Sequence, residues 1–388
     1  MPSRPRLFAV SCLAMFVFGM VIAMLGTLFG LPELRARLAI DLAQQGQLFS
    51  VMFVGLLVAT VAAGPTQDRF GAKVVLVGAA SAVAVALVLL ALARGFGSAS
   101  AAAALLGLGA GWLNLGANAL VSDLYPGSRG RMLNLANVFF GVGALFVPLL
   151  VSVAFGRLSA AGVLTVSALV AASAAAVAAP LRFPPPREEA SFSFGEFART
   201  ARHPGVLLLA ALMLFQMGNE AALSGWTSTY AGAMGWSPRV ATVILLGYWV
   251  MAIVGRSASA GLQARVGNER LVLGAALLSA AGCAVLLLGA RSLPVLALGA
   301  WLTALGLSPV VPTTLAIAAD RHHRFGGTVF SLLFTIGTLG SMSFPLALGE
   351  LSEAAGLRLG MMVPLAGTLG VALCALAVLR SRQRTADS

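Results

Sequence analysis

Runs of roughly 20 apolar residues, separated by short polar breaks, recur along the whole chain. Each run is long enough to cross a hydrocarbon core of ~30 Å as a helix. Twelve such segments are predicted, at roughly 7–31, 45–64, 74–93, 99–122, 133–155, 161–180, 205–229, 240–259, 271–290, 294–317, 326–348 and 360–379. The first is too long for a signal peptide and no small-residue cleavage site follows it, so it reads as a transmembrane helix. The sixth and seventh are separated by a polar stretch from about Arg182 to His203, where Pro184-Pro185-Pro186 prevents the sixth helix from continuing. Within it, Phe192, Phe194 and Phe197 stand among polar residues over 192–200. That pattern suits either a short helix on the membrane surface or a plain linker. The expected fold is all-α and membrane-integral: six helices in 1–181, a linker over 182–203 and six helices in 204–388.

A long internal repeat strengthens the six-plus-six division. Asp123, Gly130, Gly143 and Pro148 recur 197 residues later as Asp320, Gly327, Gly340 and Pro345. Arg69-Phe70-Gly71 and Gly78 recur as Arg265-Val266-Gly267 and Gly274, at an offset of 196. Two similar halves in an apolar chain predict two pseudo-symmetric six-helix bundles. Secondary transporters are built this way, with the solute held near the bilayer midplane where the repeats meet.

Composition agrees with a membrane chain: 59% of the 388 residues are hydrophobic and 10% charged. The net charge of +12 would suggest nucleic acid in a soluble protein. Here the bases are spread one to three per loop rather than gathered on one face, which argues against nucleic acid. With the N-terminus placed in the cytoplasm, 18 Lys and Arg fall inside, Arg256 among them, and 7 fall outside. That excess predicts that both termini are cytoplasmic. Cys12, Cys283 and Cys374 fall inside helices without metal-ligand spacing and read as packing residues. The three histidines sit at loops or helix ends, so no metal site or proton relay is expected from them. No Gly-x-x-x-x-Gly-Lys-Ser/Thr run is present, so energy from ATP is not expected.

Glu220 is the outlier, an acid mid-way along the seventh segment. A charge at the bilayer centre costs about 3 kcal/mol on insertion scales, so such a residue usually faces a cavity. It can hydrogen-bond a polar solute, carry a proton or help to hold a cation. The structural alternative is a neutral Glu bonded to a neighbouring helix. Gln216, Glu220 and Thr227 share one helical face, with Asn219 and Trp226 on an adjacent stripe. Amide, carboxyl and indole side by side suit a sugar: hydroxyls take the hydrogen bonds and a ring face stacks on the aromatic. Trp226 equally suits the aromatic belt at the outer membrane surface. In the fourth segment Asn114 and Asn118 lie four apart on one face, for solute contact or for helix packing.

The loop Gly64-Pro65-Thr66-Gln67-Asp68-Arg69-Phe70-Gly71-Ala72-Lys73, with its degenerate copy at 262–270, resembles the signature of the major facilitator superfamily. The resemblance covers twelve spans, two halves and a central loop. It implies a non-enzymatic transporter in the plasma (inner) membrane, monomeric, without a cofactor. In that family the loop serves conformational switching, so Asp68 and Arg69 are expected to act in a gate, as are Asp123 with Arg131 and Asp320 with Arg324. Asn114-Leu115-Gly116-Ala117-Asn118, Arg131-Met132-Leu133-Asn134-Leu135-Ala136-Asn137, Phe215 to Tyr230 and Pro312-Thr313 are similar to the branch of fucose–proton symporters and sodium-linked glucose transporters. That branch implies a monosaccharide as cargo and H+ or Na+ as coupling ion.

This sequence departs from the fucose symporter pattern in two places. Its first helix has no acid between Leu7 and Leu31, and Asn114 stands where that symporter has a Glu. Either Glu220 takes over the coupling, or sodium is used, or transport is uncoupled. The expected polar set is Asn114, Asn118, Gln216, Asn219 and Glu220, with Trp226 as a stacking partner. A drug or metabolite efflux antiporter is the alternative, weakened because the fifth helix lacks a Gly-Pro-x-x-Gly-Gly segment. A non-transporting membrane sensor is the third reading, weakened by short tails and loops.

Overall fold

The structure, a computed structural model, describes residues 4–125, 129–154, 156–184, 202–289, 291–321 and 326–386. Side chains of some residues inside helices, Asp68, Arg69, Arg131 and Asn134 among them, lie outside that description, as does all of Arg324. The surface helix considered over 192–200 also lies outside it.

Fourteen helices are described. They are α1 (Arg4–Phe29), α2 (Pro32–Leu38), α3 (Leu42–Leu92), α4 (Phe96–Leu124), α5 (Arg129–Val153), α6 (Ala160–Ala178), α7 (Pro204–Ala233), α8 (Pro238–Val266), α9 (Asn268–Leu288), α10 (Leu293–Leu307), α11 (Val310–Arg321), α12 (Gly326–Ala355), α13 (Leu357–Gly360) and α14 (Met362–Ala386). Twelve stretches are long and apolar enough to span a membrane. Two compact units divide the chain, Met1–Ala190 and Ser191–Ser388.

Each unit repeats the same packing. In the first, α1 packs on α5, the front of α3 on α4, and α3 on α6. In the second, α7 packs on α12, α8 on α10, and α9 on α14. The repeated glycines explain why. A Cβ on Gly143 would land on the carbonyl oxygen of Phe16 in α1, and one on Gly340 on that of Leu214 in α7. Only glycine lets these helix pairs approach backbone to backbone. The loop copies are equally alike. Gly71 has φ 81 and ψ 161, and Gly267 has φ 82 and ψ 159. Both backbones adopt a region that L side chains avoid.

The tenth span is broken. Helix α10 stops at Leu307, Ser308 and Pro309 intervene, and α11 resumes at Val310. Pro309 and Pro312 lack an N–H, so carbonyls one turn earlier lose their helical donors. Interrupted spans of this kind expose backbone oxygens where a side chain or a solute can reach them.

Candidate functional site

In the second unit Glu220 meets a base. Its Oε1 lies 3.0 Å from Nη2 of Arg256, with 22% of the Glu220 side chain and 33% of the Arg256 side chain exposed. Glu220 stands 16 residues past Pro204 and 13 before Ala233. Arg256 stands 18 residues past the start of a span that runs Pro238–Gln263, and 7 before its end. Every other charged residue described within a span lies no more than five residues from that span's end. A charge-assisted hydrogen bond explains how both groups tolerate this depth: each removes the other's uncompensated charge.

Arg256 corrects the sequence reading, which counted it as a cytoplasmic loop charge. Without Arg256 the expected inside count is 17 against 7. A usable signal was in the chain. No proline follows Arg256 before the helix ends at Val266, and the single Gly261 is tolerated, so the span continues past the charge.

The remaining α7 residues diverge around the helix. Gln216 is fully buried and donates from Nε2 to the carbonyl of Leu307 at 2.8 Å, tying α7 to the break in the tenth span. Its Oε1 is buried without a partner among the described residues. Asn219 packs against Gly367 of α14, where Phe344 of α12 also lies. Neither polar atom of its amide has a described partner. Trp226 is fully buried, which places it inside the second unit's packing rather than on its surface, and its indole N–H has no partner among the described residues. Thr227 donates to the carbonyl of Leu223 at 2.6 Å. Tyr248 of α8 is buried and sets its ring edge-on to that of Trp249. The structure thus brings Glu220 to Arg256, and sends Gln216 and Asn219 to different helix contacts.

In the first unit the two amides form a pair. Asn118 donates from Nδ2 to both the backbone oxygen and Oδ1 of Asn114, each at 2.9 Å. Both side chains are half-buried. Among the described residues, one lone pair of Asn114 Oδ1 and the Oδ1 of Asn118 have no donor.

The expected gates are described only in part. Asp123 is half-buried near the end of α4. Asp320 accepts from Nδ2 of Asn268 at 3.2 Å. Beside it, Arg321 donates to Glu269 at 3.0 Å, to the Ser381 hydroxyl at 3.0 Å and to the Val378 carbonyl at 3.2 Å. Glu269 and Arg321 were missed as a pair, because 52 residues separate them and each reads as an ordinary loop charge. Among the described residues no three His, Cys, Asp or Glu gather as a metal site.

The sequence model of the Major Facilitator Superfamily matches residues 11–290. Among solved structures, the chain is similar to a mutant of the nucleoside transporter NupG, with a TM-score of 0.80 and 14% identity over 97% of this chain and 99% of that one. At this identity the likeness is one of fold. No curated protein matches the chain.

Proposed function

The chain belongs to the Major Facilitator Superfamily and is a multi-pass membrane transporter, and on that premise we propose that it moves a monosaccharide by alternating access with cation symport. The observation that carries the reading is the partly exposed pair of Glu220 and Arg256 within its spans. Together they are neutral, so an ionic cargo would leave one member uncompensated. A polyol has no net charge, and adjacent hydroxyls donate to a carboxylate while accepting from a guanidinium. In the first unit, the amide oxygens of Asn114 and Asn118, which have acceptor capacity unused among the described residues, suit the same kind of cargo.

The pair also suits coupling. A proton arriving on Glu220 removes the carboxylate charge that the Nη2–H of Arg256 meets and releases that N–H for a sugar oxygen. A sodium ion on the carboxylate acts in the same sense. The empty carrier then reorients with a neutral pair, and the loaded one with a single positive charge. Transport on this scheme is electrogenic, one charge per sugar.

A nucleoside is the second reading, favoured by the likeness to NupG. A nucleoside also presents ribose hydroxyls to the pair, with a base added. Proteoliposomes holding the purified protein separate the readings under imposed proton, sodium and potassium-diffusion gradients. Accumulation of hexoses or pentoses, raised by an inside-negative potential, is the expected result. If nucleosides accumulate and free sugars do not, the cargo is a nucleoside. If only cationic drugs move, outward against a proton gradient, the carrier is an efflux antiporter.

A further inference from the structure

The end of α14 carries a groove of about 450 Å³ lined by Leu373, Leu376, Ala377, Arg380 and Ser381. Its lower wall is apolar. Leu373 is 69% exposed, and Leu369 one turn earlier is also exposed. Both belong to the span Leu357–Ser381, so their exposed surface is suited to hydrocarbon rather than water.

The rim is basic. Arg380 is exposed and forms no ion pair among the described residues. Ser381 accepts from Nη1 of Arg321 at 3.0 Å, which brings a second guanidinium to the same end of the helix. The nearby acid is already committed: Glu269 takes Nη2 of Arg321 at 3.0 Å. The sequence continues Arg382-Gln383-Arg384, adding charge of the same sign. An apolar wall one to two turns below an uncompensated cation matches a molecule with an acyl chain and an anionic head.

We propose that this groove is a binding site for an anionic phospholipid. The acyl chain lies against Leu373, Leu376 and Ala377, and the phosphate sits on Arg380. Charge complementarity selects the occupant: a zwitterionic lipid offers no net negative charge, and a soluble phosphate offers nothing to the apolar wall. Basic residues at the membrane end of a span are drawn to anionic headgroups in the same way.

The site is tested on delipidated protein in detergent, by native mass spectrometry and thermal shift. Added ligands are phosphatidylglycerol, phosphatidylcholine or glycerol 3-phosphate. Phosphatidylglycerol is expected to stay bound and to raise Tm, and the other two are not. Arg380→Gln should weaken phosphatidylglycerol binding at least fivefold with the lipid-free Tm unchanged. Ala377→Trp fills the groove from an exposed position and should do the same. Arg94→Gln removes an exposed charge in the first unit, away from the groove's own helix, and should leave binding intact. Equal binding by Arg380→Gln and Ala377→Trp overturns the site. So does an equal loss in Arg94→Gln, which means attraction by overall charge. Displacement by glycerol 3-phosphate also overturns it, because a soluble anion then suffices.

Discussion

Inside the first unit, the polar groups proposed for cargo are amides: Asn118 donates twice to Asn114, and no charged residue described within its spans lies more than five residues from a span's end. Inside the second they are charges, with Glu220 held by Arg256 at 3.0 Å. Shifting Asn114 and Asn118 forward by 197 gives Val311 and Leu315, and shifting Glu220 back gives Ala23. The scaffolds nevertheless coincide, down to the near-identical φ and ψ of Gly71 and Gly267. Backbone approach and turn geometry are therefore kept in both halves, while the side chains that can meet a solute differ.

The sharpest way to break this division is to leave one charge alone. Arg256→Gln strands Glu220 within its span and should cost about 3–5 kcal/mol of stability. Gradient-driven uptake should fall at least 100-fold. Glu220→Gln with Arg256→Gln should recover the stability but not the accumulation. Melting temperatures and proteoliposome uptake on the two single variants and the double variant read both effects. If the double variant still accumulates cargo, the pair is a packing device and the chemistry lies elsewhere.

The scaffold side is tested by Gly143→Ala and Gly340→Ala. Each new methyl collides with a carbonyl oxygen, of Phe16 or of Leu214. Overpacking of this kind costs about 1–3 kcal/mol. Equal losses of Tm in the two variants are expected. A loss confined to one would mean that the repeat preserves sequence without preserving the contact.

Asn118→Leu probes the first unit's chemistry. It removes the donor to Asn114 and one acceptor offered to the cargo. Affinity should fall about tenfold, equivalent to about 1.4 kcal/mol, while the number of charges moved per solute stays fixed. A changed charge stoichiometry would place coupling in this half as well.

Much of the fold was legible because it rests on local signals. Apolar run length reveals spans, and glycine and proline recurrence reveals the repeat. Glu220 was legible for the same reason, as a charge where charges are costly. Its partner was not. Arg256 lies 36 residues away, near where the apolar run was taken to end, and only three-dimensional packing of α7 on α8 joins them. Gln216 shows a second limit. Its spacing placed it on the Glu220 face, yet it reaches Leu307, because the break in the tenth span frees a carbonyl there. Periodicity gives a residue's direction from its own helix, not which neighbour stands in that direction.

The smallest expected effect concerns the short helix α2, which ties down helix ends in the first unit. Glu33 accepts from the backbone N–H of Ala160 at 3.1 Å, at the start of α6. Arg37 donates to the carbonyl of Leu90 at 3.1 Å, near the end of α3. Each charge meets the helix end whose dipole it complements, an acid at an N-terminus and a base at a C-terminus. Glu33→Gln and Arg37→Gln should each cost about 0.5–1 kcal/mol, and more at low salt than at high. Cargo affinity should not change, because neither group faces Asn114 or Asn118 in any described contact. Thermal melts at two salt concentrations, paired with a binding isotherm, separate the outcomes. A shift in affinity without a shift in Tm would turn α2 from a clamp on helix ends into part of the cargo's path.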